Sequence, residues 1–154
     1  MISKAPTTPA RLLLADDHGL ILEGFRSVLE PNHQVVGMVA DGRALVDLAL
    51  RLKPDLIILD ITMPLLNGID AAREIRKHLP EVKLLFVTMH ANPTYLQAAF
   101  NAGATGYVLK SSAREEILAA VEKVLKGQVF VTRSVGPSDW VNSRIRLGRP
   151  PLCG

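Results

Sequence analysis

Three aspartates and one lysine mark where this chain could do chemistry. Asp60 follows the apolar run Leu56-Ile57-Ile58-Leu59, and Asp16-Asp17 follow a second run, Leu12-Leu13-Leu14-Ala15. Short, branched apolar runs of this kind read as strands buried on both faces of a sheet. In an open parallel α/β sheet, ligands bind outside the carboxyl ends of the strands, so these carboxylates stand where a reaction can take place. Held a few Å apart, each pair would repel by about 4 kcal/mol at an effective dielectric near 20. The cluster therefore implies a cation. Oxygen ligands without Cys or His favour Mg²⁺, which keeps several waters and also accepts phosphate oxygens. The plainer role for Asp16 and Asp17 is to cap the helix that follows.

Two further positions argue for the site. Lys83-Leu84-Leu85-Phe86-Val87 ends in Thr88, and Gly106-Tyr107-Val108-Leu109 ends in Lys110. Alone, a Thr or Lys at a strand end is usually a solvated surface residue. Together with Asp60 and a metal, a hydroxyl donor and a fixed cation can stabilise the three oxygens of a phosphoryl group on a carboxylate.

The elements that must position these residues follow from periodicity. Strand signals at 11–15, 35–40, 56–60, 83–88 and 106–109 alternate with helical patterns, which predicts a parallel sheet with right-handed crossovers. The helices run from about Leu20 to Leu29, from Arg43 to Leu52, through Ile69, Ala72, Ile75 and Leu79, and from Pro93 to Ala102. A last helix carries Ile117, Leu118, Val121, Val124 and Leu125 on one face, with Ser112 and Glu115 spaced as a capping box. The expected fold is α/β, a flavodoxin-like, doubly wound, five-stranded parallel sheet of order 2-1-3-4-5 with helices on both faces.

With these residues in place, the chain closely resembles the receiver domain of bacterial two-component response regulators over about residues 10–133. The resemblance rests on Asp16-Asp17, Asp60 followed by Met63-Pro64 and Gly68, Thr88, Lys110, and Tyr107 three residues before that lysine. Val87-Thr88-Met89-His90, Ala102-Gly103-Ala104-Thr105-Gly106-Tyr107 and Lys126-Gly127-Gln128-Val129-Phe130 look most like the NarL/FixJ (LuxR-type) subgroup. The resemblance implies that Asp60 accepts a phosphoryl group from a sensor histidine kinase. It also implies that Asp17, Asp60 and the backbone carbonyl of Thr62 hold Mg²⁺, with Asp16 assisting through water, and that Thr88 and Lys110 bind the phosphoryl oxygens. Tyr107 would turn inward as an aromatic switch when Thr88 moves; the alternative is a tyrosine packed at the sheet edge with its hydroxyl in water. Thr62 and His90 occupy positions that tune the dephosphorylation rate in receivers. Met89 would partly overhang the phosphoryl pocket. A homodimer and a transcriptional output also follow from the subgroup.

The remaining sequence bounds these expectations. The length suits one domain, and no apolar run is long enough to span a bilayer. Residues 1–10 read as a loose leader, 11–133 as the receiver and 134–154 as an irregular tail, a severed linker or a segment foreign to the gene product. DNA contact would then need an output domain that these 154 residues do not contain. Cys153 is the single cysteine, so no internal disulfide forms and a cytoplasmic setting is expected. The net charge of +3 sits in the ends, because residues 11–130 hold 13 basic and 14 acidic side chains. It is no sign of a DNA-binding surface. His18, His33, His78 and His90 lack metal-ligand spacing and read as surface residues or neighbours of the site. Two competing functions are weaker. A haloacid dehalogenase-type phosphatase would want an acid/base Asp where Thr62 stands, and a flavin or nucleotide binder would want a glycine-rich loop where Asp16-Asp17-His18 would repel phosphate. A stand-alone receiver working by protein–protein contact is the other reading.

Overall fold

A computed structural model of the chain describes residues 9–133. Most of the expected leader, and the whole tail with Cys153, lie outside the described residues. Strands β1 (Arg11–Ala15), β2 (Gln34–Val39), β3 (Leu56–Leu59), β4 (Lys83–Thr88) and β5 (Gly106–Leu109) pair in parallel in the order β2-β1-β3-β4-β5. Helices α1 (Gly19–Leu29), α2 (Gly42–Leu52), α3 (Gly68–His78), α4 (Pro93–Asn101) and α5 (Ala113–Leu125) make the crossovers.

The sheet has a sixth strand that the periodicity did not disclose. β6 (Phe130–Val131) adds in parallel to the outer edge of β5, with Gly106 opposite Phe130 and Tyr107 opposite Val131. Two residues cannot display an alternation, so only the turn at Gly127, with its positive φ of 83°, marks the chain's return to the sheet. The capping box also fails to form. Ser112 lies in a 3₁₀ turn, Lys110–Ser112, at φ −111° and ψ 0°, and its side chain makes no cap hydrogen bond. An N-cap hydroxyl reaches the helix amides from extended backbone, which this turn does not provide. By contrast Asp41, Asn67 and Asn92 are extended and cap α2, α3 and α4 through their side chains.

Strand alternation divides the interior into two cores. Leu13, Ile57, Leu59, Leu84, Phe86 and Tyr107 face α2, α3 and α4, where Leu45, Ile75 and Phe100 meet them. Leu12, Leu14, Leu56, Ile58, Leu85 and Val108 face α1 and α5, where Phe25, Leu29, Ile117 and Val121 meet them. The central strands are apolar on both faces because both faces are covered. Their side chains can therefore carry chemistry only at the strand ends.

Candidate functional site

Backbone pairing brings the acidic ends together. The Asp16 amide donates to the carbonyl of Val39 at 3.1 Å, and the Asp60 amide donates to Ala15 at 3.2 Å. Asp60 stands one residue past β3, yet this bond prolongs the ladder and fixes its backbone beside β1. Asp16 is 2% and Asp60 4% exposed, so neither carboxylate is free to swing into solvent. Asp17 lies nearer the surface, its side chain 35% exposed.

Lys110 closes the cluster from β5. Its Nζ lies 2.9 Å from Asp16 Oδ2 and 2.9 Å from Asp60 Oδ2. Burial alone pulls an ammonium pKa down, but here the hydrogen bonds to Asp60 and then Asp16, with their charges, outweigh it and raise the value above the usual lysine range. Lys110 therefore stays a cation. The other Asp60 oxygen, Oδ1, accepts from the Ile61 amide at 2.6 Å, which holds the plane of the carboxylate. Oxygens of Asp16, Asp17 and Asp60 and a ring nitrogen of His18 all lie within 4.8 Å of one another.

The loop after Asp60 is shaped by a close backbone contact. The Gly68 amide donates to the Ile61 carbonyl at 2.7 Å, and a Cβ on Gly68 would stand 1.9 Å from the Asp60 carbonyl oxygen. No side chain fits there. Leu65 takes a left-handed φ of 69° and lets the chain turn back within the loop, where the Gly42 amide reaches Pro64 O at 3.2 Å.

Thr88 is fully buried at the end of β4, the strand between β3 and β5, and its hydroxyl accepts from the His90 amide at 3.4 Å. Tyr107 points inward and is fully buried. Its hydroxyl donates to the His90 carbonyl at 2.6 Å, which removes the alternative of an edge tyrosine with its hydroxyl in water. Burial first, then the charge of Asp60 and the neighbouring Tyr95, push its pKa well above the usual phenol range. The Thr62 hydroxyl meets His90 Nε2 at 2.9 Å, and the His90 ring stacks on Tyr95 at 4.2 Å between centroids. One histidine thus links the β3–α3 loop, α4 and Tyr107.

The histidines divide more sharply than their spacing suggested. His18 Nδ1 lies 2.9 Å from Asp16, 3.2 Å from Asp17 and 3.3 Å from Lys110 Nζ. When protonated, that nitrogen donates to the carboxylates; when bare, it accepts from the lysine. His33 is not a surface residue: it is buried, accepts from the Ala10 amide at 3.2 Å and pairs with Glu122 at 2.9 Å. No linear spacing announces such contacts. Met89 is 74% exposed and, with His18, Ile21, Leu109, Lys110 and Ser111, lines a groove of about 490 Å³ beside the site. A larger hollow of about 760 Å³ opens among Pro9, His33, Pro54 and Pro80, away from the aspartate cluster. Size does not locate the chemistry in this molecule.

Comparison with known proteins agrees with this geometry. The family described as "Response regulator receiver domain" matches residues 12–122. The transcriptional regulatory protein DegU of Brevibacillus brevis is 34% identical over 79% of this chain and 52% of its own length. The uncharacterized transcriptional regulatory protein YxjL of Bacillus subtilis is 37% identical over 78% and 56%. This chain thus spans about half the length of these curated relatives. Among solved structures, a LuxR-family two-component response regulator from Aurantimonas sp. SI85-9A1 superposes with a TM-score of 0.81 at 34% identity, covering 90% of this chain and 99% of that one. The isolated receiver domain of RcsB from Salmonella enterica serovar Typhimurium, solved in the presence of the phosphomimetic BeF3-, gives 0.76 at 32% identity, covering 83% and 96%.

Proposed function

Because this chain belongs to the response regulator receiver family, and is a receiver of the NarL/LuxR type, we propose that Asp60 is its phosphoacceptor and that Lys110 and Thr88 stabilise the incoming phosphoryl group. The observation that carries the proposal is the Lys110 ammonium held at 2.9 Å from a buried Asp60, at the edge of the sheet where the ends of β1 and β4 also present Asp16, Asp17 and Thr88.

Response regulators of this kind interact with histidine kinases. In the proposed step an Asp60 oxygen attacks phosphorus and forms a P–O bond while the P–N bond of a kinase phosphohistidine breaks. The imidazole leaves with the electron pair and takes a proton from solvent. The Ile61 amide orients the attacking carboxylate, and Lys110 compensates the charge gathering on the phosphoryl oxygens. The Thr88 hydroxyl, fixed at the end of β4, would donate to one of those oxygens.

The donor set suits Mg²⁺. Asp16, Asp17 and Asp60 set against Lys110 leave two formal negative charges among hard oxygen donors. Asp17, Asp60 and the Thr62 carbonyl would hold the ion, with Asp16 assisting. Bound there, Mg²⁺ supplies charge neutralisation for the phosphoryl oxygens.

Tyr107, bonded to the His90 carbonyl, would act as the switch that couples Thr88 to the α4–β5–α5 surface. A second copy of the chain, and control of transcription by a segment beyond the receiver, complete the proposal, as does a cytoplasmic setting. Among the described residues no helix is long and apolar enough to cross a membrane.

The deciding experiment incubates the chain with Mg²⁺ and acetyl phosphate. One hydroxylamine-labile phosphoryl group should be gained, and Asp60→Asn should gain none. Full, persistent labelling of Asp60→Asn would remove Asp60 from this role.

A further inference from the structure

β6 ends at Val131, but β5 runs on to Leu109, so the last amide of β5 has no strand residue left to bond it. The hydroxyl of Thr132 takes over. Main-chain bonds run from Phe130 N to Thr105 O at 3.0 Å and from Thr132 N to Tyr107 O at 2.9 Å, and the Leu109 amide then donates to Thr132 Oγ1 at 3.0 Å. The same hydroxyl donates to Glu116 Oε1 at 2.7 Å. Thr132 is 2% exposed and Leu109 8%, so water cannot readily substitute.

The rotor of this hydroxyl has a single solution. An ionised Glu116 offers only acceptors, so the hydroxyl proton must point to it and a lone pair must face the Leu109 N–H. The resulting chain of bonds runs from the first turn of α5, through Thr132, to the peptide that joins Val108 to Leu109, the residue that precedes Lys110 in the chain. Lys110 then opens the 3₁₀ turn with its Nζ between Asp16 and Asp60.

We infer that Thr132, oriented by Glu116, is a positioning residue for Lys110: its hydroxyl holds the Leu109 amide and so sets where the ammonium stands over Asp60. The inference rests on the proposed function only for its kinetic consequence. The geometric consequence is independent of it.

Three variants test it: Thr132→Val, which keeps the shape and loses the hydroxyl; Thr132→Ser, which restores the hydroxyl; and Phe130→Ala, which weakens β6 without touching it. Two quantities are read for each, the rate of labelling by acetyl phosphate with Mg²⁺ and the NMR resonance of the Lys110 ammonium without phosphodonor or metal. Thr132→Val should slow labelling by about tenfold and shift the Lys110 resonance. Thr132→Ser should stay within about twofold of the parent, and Phe130→Ala should lower the Tm while leaving both quantities at the parent's values. An unmoved Lys110 signal in Thr132→Val, a serine variant that behaves like valine, or a Phe130→Ala variant equally slow would each overturn the inference. If the parent chain itself takes no label, the phosphoacceptor reading fails, and the Lys110 resonance in Thr132→Val still decides the positioning role.

Discussion

Asp16 and Asp17 are neighbours in sequence and opposites in environment. Asp16 is buried, bonds Lys110 at 2.9 Å and receives the His18 amide at 2.9 Å, whereas Asp17 lies nearer the surface, with His18 Nδ1 at 3.2 Å. Removing the Asp17 charge relieves repulsion within the cluster and leaves the lysine bridge intact. Removing that of Asp16 breaks the bridge. Asp17→Asn is therefore expected to raise metal-free stability, by about 1 kcal/mol, and Asp16→Asn to lower it, both measured by urea unfolding. In a Mg²⁺ titration the order should differ, with Asp17→Ala weakening binding more than Asp16→Ala. Equal affinity of Asp17→Ala and the parent would exclude direct coordination by Asp17. At this scale much was legible in the sequence, because Asp16, Asp17, Asp60, Thr88 and Lys110 each end an apolar run. What was not legible were the contacts between residues far apart in the chain, His33 on Glu122 and Thr62 on His90, and the local turn that brings the His18 ring back onto the aspartates beside it.

Elements were readable wherever burial imposed a long period. The five longer strands and all five helices lie close to where the apolar spacing placed them, since each needed one or two covered faces. β6 and the 3₁₀ turn escaped because two or three residues carry no period, and β6 is held instead by backbone pairing with β5. Gly68 shows how an element boundary serves the site. It starts α3 under the Asp60 carbonyl, where a Cβ would sit 1.9 Å from that oxygen and 3.1 Å from Ile61 Cα. Both neighbours are backbone atoms, so relief must come from moving the Asp60 loop. Gly68→Ala should thus destabilise the fold by about 1–3 kcal/mol and slow labelling at Asp60 as well. Parent-like labelling in a folded Gly68→Ala variant would show that the loop can shift without disturbing the carboxylate.

For the whole molecule, the two cores meet the site from opposite sides of the sheet, so local ionisation and global stability are linked. Lys110 bonds the aspartates, and Tyr107 belongs to the core beneath α2, α3 and α4. Both have pKa values raised by folding, Lys110 by its aspartate bonds against the pull of burial and Tyr107 chiefly by burial. Raised values mean that the folded chain keeps protons which the unfolded chain releases above about pH 10. Their contribution is complete below that point and fades as pH climbs through the folded values. Unfolding free energy should accordingly fall on the alkaline side, each retained proton adding a slope of about 1.4 kcal/mol per pH unit. Tyr107→Phe loses the bond to the His90 carbonyl and should be less stable at neutral pH, yet its alkaline slope should be shallower because one linked proton is gone. Urea titrations from pH 8 to 11 on the parent and this variant compare the slopes. Parallel curves would mean that Tyr107 ionises in the folded chain as readily as in the unfolded one, which a phenol buried among Phe86, Phe100 and Leu96 does not allow.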